Sequence, residues 1–259
     1  MFKAGARQPG AHAKPLLGKV AVVTGAAGTM GLAATRALLA DGCRVAMVDA
    51  NRRGNEALAR TLGVVALPFS IDISDAEAVR EGHAAIVAAL GPIDILVNNA
   101  GILSNNKVEA TSAAEWRRVL AVNLDGAFYL SQAVVPAMKR RRSGRIINTS
   151  SLAAKTGGLT AGTAYSVSKG ALSSLTFSLA RELAGFGITV NGIAPAYVKT
   201  PMITEQLDAA QRRKLLKGIP VGRFCEAEEF AHVVRFLASP LSGFITGEIV
   251  DLNGGLLMD

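Results

Sequence analysis

The sequence predicts an α/β protein: a single-domain doubly wound parallel sheet of the Rossmann type, with helices on both faces. Three observations predict it. Short β-branched or aliphatic runs alternate with longer helical patterns along the chain, the signature of a helix-covered parallel sheet. A glycine-rich stretch, TGAAGTMG from Thr24 to Gly31, closes the first run and opens the first helix. An acidic residue, Asp49, ends the second run eighteen residues beyond Gly31, near the spacing at which a carboxylate meets an adenosine ribose.

Strands are expected at VAVVT (20–24), RVAMVD (44–49), VVALPF (64–69), DILVNN (94–99), RIINTS (145–150), ITVNGI (188–193) and EIVDL (248–252). Between them, helical patterns begin near Gly31, Arg53, Asp75, Ser112, Ala164 and Glu226, and Ser112 with Glu115 has capping-box spacing. Right-handed crossovers then place ligands beyond the carboxyl ends of the strands. The segment 196–223 interrupts the alternation with two prolines and a Gln-Arg-Arg-Lys patch, and is expected to be a substrate lid. Residues 16–259 are expected to form the one domain. Residues 1–15, MFKAGARQPGAHAKP, lack the apolar core of a secretory signal and cannot bury enough surface to order themselves, so a mobile tail is expected.

Half of the 259 residues are hydrophobic and 19% are charged, and the longest apolar runs are broken by Gly, Asn, Asp or Ser well short of a bilayer span. No membrane association is expected. Cys43 and Cys225 form neither a C-x-x-C pair nor a disulfide framework, which points to a reducing cytoplasm. The net charge of +8 is concentrated in Lys3, Arg7, Lys14 and Lys19 and in Lys139, Arg140, Arg141, Arg142 and Arg145. Cations are favoured at a helix C-terminus, so the second group reads as a solvated helix end, not as a nucleic-acid surface. His12, His83 and His232 lack ligand spacing, and no metal site is expected.

The glycine-rich stretch puts Gly25 at a tight turn and Gly31 where a helix must pack closely on the sheet. The N–H groups of Gly28, Thr29 and Met30 are expected to face a phosphate. Asp49 is expected to accept hydrogen bonds from the ribose hydroxyls and to repel a 2′-phosphate, which argues for NAD over NADP. Asp72 and Ile73, after the third strand, are expected beside the adenine, and Asn99, Ala100 and Gly101 line the cofactor after the fourth. Tyr165 and Lys169 stand four residues apart on a helical pattern and so share one face. A phenol titrates near pH ~10 in water, and a nearby ammonium lowers that value by stabilising the phenolate. Ser151, at the carboxyl end of the fifth strand, is placed to hold a substrate oxygen beside the phenol.

Taken together, the TGAAGTMG turn, Asp49, Asn98-Asn99-Ala100-Gly101, Ser151, Tyr165 and Lys169 resemble the short-chain dehydrogenase/reductase family over about residues 16–259. The resemblance implies a Ser-Tyr-Lys oxidoreductase, with Ser151 rather than Ser150 the active serine and Asn123 supporting a proton relay from Lys169. It also implies that Lys169 holds the nicotinamide ribose, and that Pro195, Val198 and Thr200 in PAYVKT meet the nicotinamide carboxamide and phosphate. Three positions depart from the family pattern. Thr29 stands on the middle glycine of TGxxxGxG and Ala196 on the glycine of PGxxxT, while one extra residue separates Ser151 from Tyr165. Thr29 is expected to sit at ordinary φ and turn its hydroxyl to the nucleotide, the other accommodation being that Gly28 takes over the conformational freedom.

The expected activity is NAD(H)-dependent interconversion of a secondary alcohol and a ketone on a small or medium hydroxy compound, of polyol, sugar-acid or hydroxyacyl type. The alternatives are a 3-oxoacyl carrier-protein reductase using NADPH and a catalytically silent dinucleotide-binding sensor or scaffold. The resemblance also implies a homotetramer. Tyr197, Met202, Ile203 and Leu207 are candidate substrate contacts.

Overall fold

The structure, a computed structural model, describes residues 14–200 and 208–258. Residues 1–13 of the expected tail, with His12, and Met202, Ile203 and Leu207 of the expected lid lie outside the described residues. Seven strands, β1 (Val20–Thr24), β2 (Arg44–Asp49), β3 (Ala66–Ser70), β4 (Ile95–Asn98), β5 (Gly144–Thr149), β6 (Ile188–Pro195) and β7 (Ile249–Leu252), form one sheet in the order β3-β2-β1-β4-β5-β6-β7. All its pairings are parallel. Each expected strand is present, but β3 begins at Ala66. Val64 and Val65 are 92% and 42% exposed and precede the β2 register, which starts at Ala66.

Because successive strand residues point to opposite faces, the sheet builds two cores. Ala21, Val23, Val45 and Met47 pack with Leu38, Phe230, Val234 and Leu237 on one side. Val20, Val22, Ala46 and Val48 pack with Ile86, Leu90, Leu130 and Leu183 on the other. The first side is covered by α1 (Thr29–Ala40) and the C-terminal helix Ala227–Ala238. The second is covered by α3 (Ala76–Leu90), α5 (Gly126–Arg141) and α7 (Thr163–Leu183), while α2 (Arg52–Leu62) links β2 to β3. Strand order reverses between β1 and β4, whose carboxyl ends therefore border an open crevice.

Three features were not legible in the periodicity. The helix expected from Ser112 is α4 (Ala113–Leu120), a π-helical turn (Ala121–Asp125) and α5 in unbroken succession. A short α6 (Ala153–Thr156) follows β5, and α8 (Ala209–Gly218) lies within the interrupted segment, ahead of α9 (Ala227–Ala238). Ser112 caps α4 by accepting from the Glu115 amide, but the Glu115 carboxylate bonds to Ser104 and Asn106 instead of closing the box. The reciprocal box forms at Glu226 and Glu229, at the start of α9. The continuous rod Ala113–Arg141 has the length and apolar composition of a bilayer span, and 44% of its most apolar window is buried.

The basic run ends α5 as expected. Arg141 donates to the Ile93 carbonyl, and Arg142, at left-handed φ +50°, donates to the Gly185 carbonyl. Lys139 pairs with Glu182 at 2.8 Å. These side chains satisfy carbonyls and a carboxylate around the helix end.

Candidate active site

A cleft of about 470 Å³ opens beyond the carboxyl ends of β1, β2, β3 and β4. Its wall contains Gly25, Gly28, Thr29, Met30, Gly31, Asp49, Asp72, Ile73, Asn99, Ala100, Gly101 and Thr200, all expected from the sequence. Tyr165, Lys169, Pro195 and Val198 lie outside this lining. The glycine turn is built by close approach. Gly25 adopts φ +62° and a Cβ there would lie 2.9 Å from the Ala100 Cα, while a Cβ on Gly31 would lie 2.1 Å from the Gly25 carbonyl oxygen. Gly28 caps α1 without any side-chain acceptor, and the first helical turn carries no acidic residue. This leaves the helix start as a positive pole suited to an anion.

Thr29 is the first residue of α1 and is absent from the positive-φ residues, while Gly28 has φ −80°. The threonine thus needs no left-handed backbone, and Gly28 takes over no unusual conformation. Asp49 accepts from the Ala27 amide at 3.0 Å and the Asn51 amide at 2.8 Å, fastening the glycine turn to the end of β2 while its carboxylate lines the cleft. It does not cap α2; Asn51 does, through the Gly54 amide. Asp72 accepts from the Ser74 amide and hydroxyl, which hold its carboxyl below the usual range, with Arg118 at 3.7 Å assisting.

The residues around α7 form the second half of the site. Lys169 is buried, and its Nζ donates to the Thr149 carbonyl at 2.7 Å and sits 5.8 Å from the centre of the Tyr165 ring. Asn123, in the π-helical turn, accepts from the Ile102 amide at 2.8 Å and donates to the Ile102 carbonyl and Ser168 Oγ, each at 3.0 Å. Lys169 Nζ and Asn123 Oδ1 converge on Gly101, where a Cβ would be 3.2 Å from both. The ammonium therefore lies next to Gly101, a residue of the cleft wall.

Ser150 and Ser151 separate cleanly. Ser150 Oγ bonds to the Lys169 carbonyl and Ser173 Oγ, at 3.1 and 2.7 Å, fixing α7 on β5. Ser151 accepts from the Ala153 amide, and its hydroxyl is the polar neighbour that acts on the Tyr165 phenol. Burial pushes the Tyr165 phenol up, and the neighbouring Ser151 hydroxyl opposes that rise. Burial also pushes Lys169 down, to about 8. The acidifying effect of the ammonium expected from the spacing is thus not the leading influence on the phenol, because both groups are desolvated together.

Beyond β6, the Ala196 amide donates to the Leu252 carbonyl and Val198 bridges to Cys225. The left-handed residue here is Tyr197, at φ +46°. Replacing the family's glycine by Ala196 is therefore accommodated without left-handed backbone at that position. Cys43 and Cys225 are both unpaired, and their thiols are pushed up to about 12 and about 11, burial leading in each case. His83 is half-buried and its imidazole is pushed down by burial.

Sequence reasoning missed several supporting groups. Thr24 Oγ1 accepts from the Asn99 and Ala100 amides, both at 2.9 Å, tying the β4 turn to the glycine turn. Arg118 enters the cleft wall from α4, and Ser168 holds Asn123. Thr24 stood inside the quoted turn and carried a usable signal; Arg118 and Ser168 did not, since only the folding of α4 and α7 brings them in. Among the described residues no cluster of three or more potential metal ligands exists. The colliding glycine positions, the uncapped helix start, the carboxylate of Asp49 and the partnerless buried Asn99 Oδ1 fit a dinucleotide.

Comparison with known proteins agrees with this geometry. A family model described as Enoyl-(Acyl carrier protein) reductase matches residues 25–257. The chain is 37% identical over 246 residues to the 3-oxoacyl-acyl-carrier-protein reductase FabG of Thermotoga maritima, covering 94% of this chain and 99% of that one. It is 38% identical over 242 residues to the Escherichia coli protein of the same name, covering 93% and 98%. A solved structure from Brucella melitensis, named as a short-chain dehydrogenase/reductase of glucose/ribitol dehydrogenase type, superposes with a TM-score of 0.88 at 35% identity, covering 95% of this chain and 99% of that one.

Proposed function

Starting from the fact that the chain belongs to the short-chain dehydrogenase/reductase family of oxidoreductases, we propose that it interconverts a ketone and a secondary alcohol with NAD(H). The substrate class we favour is a 3-oxoacyl or 3-hydroxyacyl thioester. The observation that carries the reaction type is the placement of Ser151 beside the half-buried Tyr165, next to a lysine whose Nζ converges with Asn123 Oδ1 on Gly101 of the cleft wall. The relatives named as 3-oxoacyl carrier-protein reductases support the substrate class. Polyols and sugar acids are the second reading, motivated by the similarity to the Brucella protein of glucose/ribitol dehydrogenase type.

When bound, the nicotinamide gives or accepts the hydride. Gly25, Gly28, Thr29, Met30 and Gly31 would hold the dinucleotide phosphates, and Asp49 its adenosine ribose. Asp72, Ile73, Asn99, Ala100, Gly101, Pro195, Val198 and Thr200 would line the remainder, with Lys169 at the nicotinamide ribose. The Tyr165 phenol oxygen exchanges a proton with the substrate oxygen, and the Ser151 hydroxyl orients that oxygen and stabilises its developing charge. Lys169 and Asn123 carry the replacement proton toward Tyr165. Burial favours the neutral phenol, which is the proton donor that ketone reduction requires.

The cofactor choice rests on Asp49, whose carboxylate lines the cleft, and on Gly28, which supplies no cation to meet a 2′-phosphate. An NADPH-linked reductase is the competing assignment. Initial rates on an acetoacetyl thioester, a polyol panel and a hydroxy-acid panel, each with NADH and NADPH, test the proposal. NADH-dependent reduction of the thioester, abolished by Tyr165→Phe, is the expected result. A strong NADPH preference would overturn the reading of Asp49, and dinucleotide binding without turnover on any substrate would favour a silent sensor. The unpaired Cys43 and Cys225 fit a reducing, cytoplasmic location, and a homotetramer is proposed from the family resemblance.

A further inference from the structure

The catalytic helix α7 begins without a cap of its own. Its N-cap residue is Gly162, which has no side chain to accept from the first-turn amides. Two amides at the helix entry are instead held from elsewhere: Gly162 N–H donates to the Ser104 carbonyl at 2.7 Å and Thr163 N–H to the Asn106 carbonyl at 3.0 Å. Both carbonyls belong to the loop after β4. The approach is close enough that a Cβ on Gly162 would lie 2.4 Å from the Asn106 carbonyl oxygen. The loop is itself held from α4, since the Glu115 carboxylate accepts from Ser104 Oγ and from Asn106 Nδ2, the latter at 2.8 Å.

Lys107 completes the arrangement. Its Nζ crosses to the segment ahead of α7 and donates to the Gly158 carbonyl at 3.1 Å and the Ala161 carbonyl at 2.6 Å. Hydrogen bonds from a charged donor are among the stronger ones, and these two close the stretch between Ser151 and Tyr165, where the chain carries its extra residue. Resting on the site reading above, we infer that the 104–107 loop is a clamp that sets where α7 starts, with Lys107 as a positioning residue for Tyr165. Tyr165 lies two residues beyond Thr163, so a shift of the helix entry moves the phenol relative to Ser151.

Lys107→Met removes both bonds, while Lys107→Arg keeps a cation able to reach them. In Lys107→Met, amide hydrogen exchange at Gly162 and Thr163 should speed up by ~10-fold or more. Its kcat for NADH-dependent reduction of an acetoacetyl thioester should fall ~10–100-fold, as misplacement by about 1 Å does elsewhere, with KM for NADH within about twofold. Lys107→Arg should restore most of both. Unchanged exchange in Lys107→Met, or faster exchange with kcat kept within twofold, would overturn the clamp. Tyr165→Phe is run alongside: if it retains full turnover the catalytic reading fails, and the exchange data then decide the clamp by themselves.

Discussion

Replacing Gly31 by alanine is the sharpest test of how the cofactor turn is built. An alanine Cβ would lie 2.1 Å from the Gly25 carbonyl oxygen, 2.8 Å from its carbon and 2.9 Å from the Ala26 Cα. All three are backbone atoms, so no side chain can swing aside. Ordinary contact needs about 3.4 Å, and the start of α1 must therefore retreat by about 1.3 Å from the turn that it caps. Overpacking of this kind costs about 1–3 kcal/mol, which in a chain of this size lowers Tm by roughly 2–10 °C. A 1 Å displacement of a binding element costs up to about 100-fold in rate. Calorimetric titration with NADH, steady-state kinetics and thermal unfolding read these effects separately. Gly28→Ala is the comparison for stability, because among the described residues its Cβ meets only the Gly25 oxygen, at 3.3 Å. Its Tm should fall by less than that of Gly31→Ala, the loss reflecting mainly the poorer helix cap that alanine makes. The reasoning is refuted if Gly31→Ala keeps wild-type Tm and NADH affinity, or if Gly28→Ala loses as much stability.

Asp49→Ser should move the NADPH-to-NADH ratio of kcat/KM upward by about tenfold or more, about 1.4 kcal/mol, by removing a negative charge from the ribose end of the cleft; an unchanged ratio in initial-rate assays counts against that role. Thr29→Gly should weaken NADH binding if the hydroxyl meets the nucleotide, and equal affinity by titration calorimetry would remove that contact. Lys169 makes a pH prediction. Its folded pKa, pushed down to about 8 by burial, lies below the roughly 10.4 of an unfolded lysine. The unfolded chain therefore binds more protons between those values, and the lysine's contribution makes stability rise with pH across that window. Below pH 8 the buried ammonium costs about 3 kcal/mol, offset in part by its bond to the Thr149 carbonyl. Lys169→Met should flatten the stability profile between pH 8 and 10 in urea titrations while abolishing turnover, and an unaltered slope would contradict the assignment.

Most of the fold and the candidate reacting groups could be read in one dimension because they rest on local rules. Strand periodicity located β1 and β2 with the bounds observed, since VAVVT and RVAMVD are apolar runs ended by turn residues. It overran at Val64 and Val65, exposed residues of the turn that enters β3, although the Val65 carbonyl still accepts from the Val45 amide. Spacing alone placed Tyr165 and Lys169 on one face of a helix, while Ser150 is taken up by bonds to the Lys169 carbonyl and Ser173 Oγ.

What the amino-acid order determined by itself was the alternation of elements, the glycine turn, the acid after β2 and the candidate proton-handling groups, because each follows from periodicity or from the chemistry of a few neighbours. Tertiary structure decided the rest. It set the leading influence on Tyr165, which is burial, and it placed Asn123 in a π-helical turn against Ile102. It also supplied the cap of α7 from a loop more than fifty residues away, through Ser104 and Asn106. Desolvation and capping in trans depend on which surfaces meet in space, and that information appears only once the sheet has brought β4, β5 and α7 together.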